Sequence, residues 1–269
     1  MGAPVSQRLG FIGAGAMATA IMKQLVASGY TPSLIMCSDI DLNRCRMLSD
    51  ELGIQHASDN TALAAWADFL IVAVKPHVVP KMLPELAATL ENKPLVSIAA
   101  GVTTANLLEL AGSSVRVLRV MPNTPAQIGC GVTTFSSDHT LHADELALAR
   151  HIFESVGAVV MLEERLMNAA TALAGSGPAL PYLLIETMAD AGVRMGIPRA
   201  TALALATQTV IGAAMMQKQT GEHPAKLRDD VCSPGGSTIE MVAALERCGF
   251  QGAIHEAVWR CKQRVDELG

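Results

Sequence analysis

Aromatic side chains make up only 3% of this 269-residue chain, and no run of basic residues interrupts it. A nucleic-acid surface needs stacking rings or a positive groove. With 20 Lys and Arg against 25 Asp and Glu, giving a net charge of −5, neither is provided, and an anionic membrane surface has no electrostatic support either. No apolar run reaches the roughly 18 residues of a membrane span. No basic-then-apolar leader opens the chain, so the expectation is a cytoplasmic protein with neither nucleic acid nor membrane as partner. Met1-Gly2-Ala3-Pro4-Val5-Ser6 fits a myristoylation pattern formally. That pattern fixes few positions, and one acyl chain anchors only weakly. The six cysteines (Cys37, Cys45, Cys130, Cys232, Cys248, Cys261) form no C-x-x-C pair and share no ligand spacing with histidine, which reads as reduced thiols and no metal. Ser176 lies in Gly-Ser-Gly-Pro, outside the G-x-S-x-G frame of an acyl-transfer nucleophile.

What the chain has is apolar aliphatic residue in quantity: half of it is hydrophobic and 17% is charged. Up to about residue 162 two periods alternate. Short apolar runs at Leu9–Ile12, Leu34–Cys37, Ile54–Ala57, Phe69–Val74, Leu95–Ala99 and Val115–Val120 are mostly separated by helical stretches, the first from Met17 to Ala27. Apolar runs of that kind, with helices between them, predict a parallel sheet covered on both faces. Gly131–Phe135 and Ala158–Leu162 close the sheet, with a helix from about Ala143 to Ser155 between them. Beyond Leu162 the strand signal stops. Met167–Ala174, Leu180–Met195, Arg199–Gln219, Thr238–Arg247 and Phe250–Leu268 read as helices, broken at Gly- and Pro-containing stretches. The fold class is therefore α/β: an N-terminal Rossmann domain with a mostly parallel sheet (1–162), followed by an all-helical C-terminal domain (163–269). Ala200–Met216 is apolar on nearly every face and predicts a helix buried all round, sandwiched against a second subunit.

Gly13-Ala14-Gly15-Ala16-Met17-Ala18 stands between the first strand and the first helix. Gly13 permits a tight turn, Gly15 lets backbone approach a pyrophosphate, and Ala18 lets helix and strand pack closely, with unpaired N–H groups facing the phosphates. The acid expected at the end of the second strand is Asp39, placed to hold an adenosine ribose as in an NAD(H) site. Ser38, Arg44 and Arg46 offer the alternative of a 2′-phosphate, and a helix cap is the purely structural reading of Asp39 or Asp41. Ala73-Val74-Lys75-Pro76 and Ser97-Ile98-Ala99-Ala100-Gly101 end the fourth and fifth strands. There Lys75 can face phosphate or solvent, and small residues leave room for a nicotinamide ring. Asn123-Thr124, bracketed by Pro122 and Pro125, makes an ordered loop. Ser233-Pro234-Gly235-Gly236 cannot continue a helix, whereas Ser237 or Thr238 can begin one. Hydroxyls and free N–H groups then meet at a site for a small carboxylate, with a simple cap over Glu240 as the alternative.

Together these blocks resemble the pyrroline-5-carboxylate reductases along essentially the whole chain. The resemblance rests on Gly10–Gly15, Ala73–Pro76, Ser97–Val102, Met121–Pro125, Gly175–Ala179, Gly221–Pro224 and Val231–Glu240. It implies NAD(P)H-dependent reduction of the cyclic imine 1-pyrroline-5-carboxylate to L-proline, with NADPH as cofactor and NADH possible. It further implies a homodimer built through the C-terminal helices, open to assembly into a larger homo-oligomer. By resemblance, Gly13, Ala14, Gly15, Ala16, Met17, Ala18, Ser38, Asp39, Asn60, Ala73, Val74, Lys75, Pro76, Ile98, Ala99 and Ala100 contact the cofactor. Ser237 and Thr238 hold substrate with Glu164 and Asp230 nearby, and Thr238 is the catalytic candidate, orienting the imine nitrogen or relaying its proton. A β-hydroxyacid dehydrogenase shares the two-domain plan but uses a lysine soon after the domain junction, and no lysine occurs between Arg165 and Gln217. A dinucleotide-binding sensor without turnover is the non-enzymatic alternative.

Overall fold

The computed structural model describes residues 7–268, so the formal myristoylation segment lies outside the described residues. Its first part alternates strand and helix: β1 (Leu9–Ile12), α1 (Ala16–Ala27), β2 (Ile35–Ser38), α2 (Leu42–Leu52), β3 (Gln55–His56), α3 (Asn60–Trp66), β4 (Phe69–Val72), α4 (Val79–Leu90), β5 (Pro94–Ser97), α5 (Thr104–Ala111) and β6 (Arg116–Met121). Then come β7 (Gly131–Ser136), α6 (Ala143–Glu154) and β8 (Gly157–Leu162). The sheet runs β3-β2-β1-β4-β5-β6-β7-β8. All neighbours are parallel except β6 and β7, where Val120 faces Phe135 in antiparallel register, so β7 and β8 run against the rest. The order reverses at β1, which lies between β2 and β4. That is the topological switch point where an open α/β sheet takes its ligand.

Alternation along the strands divides the core between the two faces. Phe11, Ile35, Cys37, Ile71, Val96 and Leu118 pack with Ile21, Met22 and Leu25 of α1 and Leu148, Ile152 and Phe153 of α6. Ile12, Leu70, Val72, Leu95 and Val117 pack with α3, α4 and α5 on the other side. Phe135 and Phe153 meet edge-on with centroids 5.6 Å apart. Gly10 serves packing, since a Cβ there would lie 2.7 Å from both Ala67 and Leu63 of the α3 segment.

After β8 follow α7 (Met167–Ala170), a π-helical turn (Thr171–Gly175), α8 (Ala179–Arg194), α9 (Arg199–Thr220), α10 (Pro224–Asp230), α11 (Ser237–Arg247) and α12 (Phe250–Leu268). The contacts divide the chain into two units, residues 7–176 with the end of α12 from Lys262, and Gly177–Cys261. Within the helical unit α8 and α9 pack through small residues. Gly192 lies so close to α9 that a Cβ would sit 3.0 Å from that of Ala202. The buried core of this unit is Ala189, Ala202 and Ala206. In the single chain α9 is thus buried along one stripe only: Leu203, Leu205, Ile211, Met215 and Met216 remain exposed. Burial all round, as its apolar faces predict, is not reached by one chain.

α10 was hidden in what reads from sequence as a break. His223 is its cap, its Nδ1 accepting from the Ala225 N–H at 3.2 Å, and Pro224 takes the first helical position, where its missing N–H costs nothing.

Candidate active site

The carboxyl ends of β1, β2, β4 and β5 lie side by side, and backbone hydrogen bonds tie their loops together. Gly13 N–H donates to Ser38 C=O at 2.7 Å, Ala73 N–H to Ile12 C=O at 2.8 Å, and Ile98 N–H to Val72 C=O at 3.0 Å. The Ser38 hydroxyl donates to Asn60 Oδ1 at 2.7 Å, joining the end of β2 to the start of α3. The structure therefore gathers at one edge the glycine loop, Ser38, Asp39, Asn60, Ala73–Pro76 and Ile98–Ala100. Lys75 is exposed there and forms no ion pair among the described residues.

The two loop glycines have different causes. Gly13 has φ +102°, and a Cβ would meet the Ala73 carbonyl oxygen at 2.6 Å, so the protein itself demands glycine. Gly15 has an ordinary extended backbone, φ −68° and ψ 179°, and a Cβ there would meet nothing within 4 Å. Gly15 is the N-cap of α1, where glycine is a favoured residue, and no protein atom crowds it. The N-terminus of α1 stands open there, with neither a side-chain cap nor an acidic residue in its first turn. A dinucleotide pyrophosphate fits this open cradle.

Asp39 is not the cap of α2. That role belongs to Asp41, which accepts from the Asn43 and Arg44 N–H groups. Asp39 Oδ2 instead accepts from the Ala14 N–H at 2.7 Å, inside the glycine loop, and Oδ1 accepts from Asp41 N–H at 2.9 Å. Arg44 stands 3.7 Å from the same carboxylate.

In the helical unit, Ser233–Gly236 forms a turn closed by the Gly236 N–H to Ser233 C=O bond at 3.0 Å, with Gly235 at φ +67° after Pro234 as in a type II turn. A Cβ at Gly236 would lie 2.3 Å from Ser233 Oγ, which would have to rotate away, and 3.1 Å from the Ser233 carbonyl oxygen. The turn delivers the chain into α11 with Ser237 exposed and Thr238 half-buried in its first turn, and no side chain caps that helix. Its first N–H groups are therefore available to a carboxylate. Asp230, at the end of α10, is exposed and paired with Lys226 at 2.8 Å.

Glu164 lies in the other unit, and its carboxylate is engaged. Oε1 accepts from Arg119 Nη1 at 2.8 Å and the Thr104 N–H at 3.3 Å, and Oε2 from Thr104 Oγ1 at 3.1 Å. Burial would raise its pKa, but hydrogen bonds from Ser136 and Arg119, with the guanidinium charge, hold it below the ordinary value. Arg119, 3% exposed, also donates to Asn168 Oδ1 at 2.9 Å, and Asn168 in turn donates to Asp266 at 3.0 Å. Sequence reasoning missed this network. Its one signal was an arginine inside the apolar strand Val117-Leu118-Arg119-Val120, which must find a buried partner. The Asn123 loop is internally satisfied as well: the side chain accepts from Val132 N–H and donates to Ala174 C=O.

Two family models match the chain: "NADP oxidoreductase coenzyme F420-dependent" over residues 8–101 and "Pyrroline-5-carboxylate reductase dimerisation" over residues 164–268. A pyrroline-5-carboxylate reductase from Synechocystis is 43% identical across 98% of this chain and 99% of its own length. Among solved structures, a pyrroline-5-carboxylate reductase from Coxiella burnetii superposes with a TM-score of 0.93 at 33% identity, covering 98% of this chain and 99% of that one. A Plasmodium falciparum pyrroline carboxylate reductase with NADP bound gives 0.88 at 29% identity, covering 98% of both chains.

Proposed function

Since the chain belongs to the pyrroline-5-carboxylate reductases, we propose that it uses NADPH to reduce 1-pyrroline-5-carboxylate to L-proline, the closing step of proline biosynthesis. The observation that carries the reading is Gly15, whose missing side chain leaves the N-terminus of α1 open to a phosphate group at the switch point of the sheet. NADPH, when bound, supplies the hydride that adds to the imine carbon, which becomes the ring CH2 beside nitrogen in proline, while the C=N electron pair passes to nitrogen, which ends as the protonated amine.

The chain's own residues bind and orient. The loop from Gly13 to Ala18 receives the pyrophosphate, with Ser38, Asp39 and Asn60 at the adenosine side and Ala73–Pro76 and Ile98–Ala100 at the nicotinamide side. Arg44 and Arg46 on α2 favour a 2′-phosphate, and Asp39, whose oxygens are occupied by N–H donors, opposes it less than a free carboxylate would. The N–H groups at Ser237 and Thr238 hold the substrate carboxylate with Asp230 close in sequence, and the Thr238 hydroxyl orients the imine nitrogen or relays its proton. Catalysis is then chiefly the positioning of two bound reactants. In this division of labour 1–162 binds the nucleotide, while 163–269 binds substrate and joins a second copy into a homodimer through the apolar faces that α9 leaves exposed.

The test is loss of the reduced-nicotinamide absorbance on adding pyrroline-5-carboxylate, run with NADPH and with NADH. Consumption that depends on the imine and is faster with NADPH is expected. Binding of NADPH without consumption would return the chain to the sensor reading.

A further inference from the structure

The Glu164 carboxylate has little left to offer a substrate. A carboxylate presents about four lone-pair sites, and Glu164 already meets Thr104 N–H, Thr104 Oγ1, Arg119 Nη1 and Ser136. What it holds is specific. Thr104 is the first residue of α5, and the segment running into it from Ser97 is the loop at the end of β5, containing Ile98, Ala99 and Ala100. In a sheet of this order the β1–β2 half receives the adenosine, as the acid at the end of β2 indicates, so the β4–β5 half faces the nicotinamide.

One end of the loop is fixed by the sheet. Ile98 N–H donates to Val72 C=O at 3.0 Å, and the buried Ser97 hydroxyl accepts from Ala99 N–H at 3.2 Å. In between, Gly101 at φ +80° is free to turn. The far end has the Thr103 cap, which holds α5 itself, and the Thr104–Glu164 contact, which ties the first turn of α5 to the segment after β8, beside the core packing of Leu107 and Ala111. Glu164 in turn is held by Arg119 of β6, a strand in direct register with β5 through Ser97 and Arg119. The result is a closed clasp: β5, loop, α5, Glu164, Arg119, β5.

We infer that Glu164 and Arg119 are positioning residues, clasping Thr104 so that the Ile98–Thr103 loop keeps the shape that receives the nicotinamide end of NADPH. This rests on the cofactor placement proposed above, and it gives the half-buried glutamate a role other than contact with substrate.

The experiment compares Glu164→Gln, Thr104→Val, Thr104→Ser and the Glu164→Gln/Thr104→Val double variant in the full-length protein. Calorimetric titration uses two ligands, NADPH and 2′-phospho-ADP-ribose, which lacks the nicotinamide ring. Glu164→Gln and Thr104→Val should each weaken NADPH binding about tenfold, the order of one charge-assisted hydrogen bond. The shorter ligand should bind as it does to the parent. The double variant should be no worse than the weaker single variant, because both remove one contact, and Thr104→Ser, which keeps the hydroxyl, should behave as the parent.

Equal weakening of both ligands would mean general loosening and would overturn the inference, as would a silent Thr104→Val. So would a Glu164→Gln variant whose only change is a raised KM for pyrroline-5-carboxylate, the mark of a substrate ligand. If even the parent fails to consume NADPH with the imine, the reaction reading falls, while the two-ligand comparison still decides the clasp.

Discussion

The same one-methyl change at the two loop glycines should have opposite effects. Gly13→Ala forces an L side chain into φ +102° and places its Cβ 2.6 Å from a backbone oxygen that β4 cannot easily move. The left-handed penalty of about 1–2 kcal/mol adds to about 1–3 kcal/mol for overpacking, or roughly 2–5 kcal/mol in all. Gly15→Ala meets no protein atom within 4 Å at φ −68°. The reduced freedom of the unfolded chain stabilises by about 0.4–1 kcal/mol, and the poorer cap offsets about as much, leaving stability within about 0.5 kcal/mol of the parent. At roughly 2–4 °C per kcal/mol for a unit of this size, the first variant melts about 5–15 °C lower and the second within about 2 °C. Their behaviour towards ligand is reversed: Gly15→Ala puts a methyl where the pyrophosphate must lie and should lose at least about tenfold in NADPH affinity. Melting with and without NADPH reads both effects, since added nucleotide should raise the parent's midpoint and raise that of Gly15→Ala by less, about 1.4 kcal/mol less for each tenfold of affinity lost. A Gly15→Ala protein that binds NADPH like the parent, or melts as low as Gly13→Ala, would refute the assignment of Gly15 to the ligand.

Other expectations are simpler. Thr238→Ala should lower kcat about 100-fold, the lower range for a lost proton-transfer partner, with the Kd for NADPH unchanged by titration; unaltered turnover removes Thr238 from the chemistry. Glu145 is buried, which would raise its pKa, but the Arg116 guanidinium, 2.5 Å away, and the His142 N–H hold it below its ordinary 4.5. Its stabilisation is therefore present above 4.5 and lost as the pH falls through the lower folded value. Urea midpoints of the parent and Glu145→Gln should converge on acidification, and a gap independent of pH would contradict this. The Cys37 thiol, fully buried, is pushed up to about 12 by desolvation and by neighbouring Cys45, so iodoacetamide should spare it at neutral pH until the fold is opened by denaturant. Leu205→Glu on the exposed face of α9 should reduce the sedimenting mass towards that of one chain if that face joins two copies.

Periodicity carried most of the fold because β1, β2, β4 and β5 are short, buried on both faces and separated by helices. Phe69–Val72 and Pro94–Ser97 stand within a few residues of where the apolar runs put them. Strand direction at β6 and β7 was not readable, since an apolar run has the same composition either way round. The π-helical turn at Thr171–Gly175 escaped for a related reason: Ala, Leu and Thr suit an ordinary helix equally well, and only the hydrogen-bond pattern separates the two. At the site, the glycine loop was legible because its chemistry is local. Arg119 and Glu164 are 45 positions apart, and no local window joins them.

Asp39 shows where a correct location hides the physical role. From sequence it is an acid at the end of β2, weighed as a ribose acceptor or a cap. In the fold it reaches back 25 residues to hold the Ala14 N–H at 2.7 Å. A carboxylate bonded to a loop amide stiffens that loop before any ligand arrives, and loop order supplied in advance does not have to be drawn from binding energy. Gly13 makes the turn, Asp39 fixes it from β2, and Gly15 is then left open at the helix end with its neighbours immobile. The same engagement bears on nucleotide choice. With both oxygens engaged by N–H donors, the acid has fewer lone pairs to offer a ribose, while Arg44, 3.7 Å away, and Arg46 stand on the following helix. A residue whose position alone suggested a ribose acceptor thus serves, through its hydrogen bonds, to hold the glycine loop.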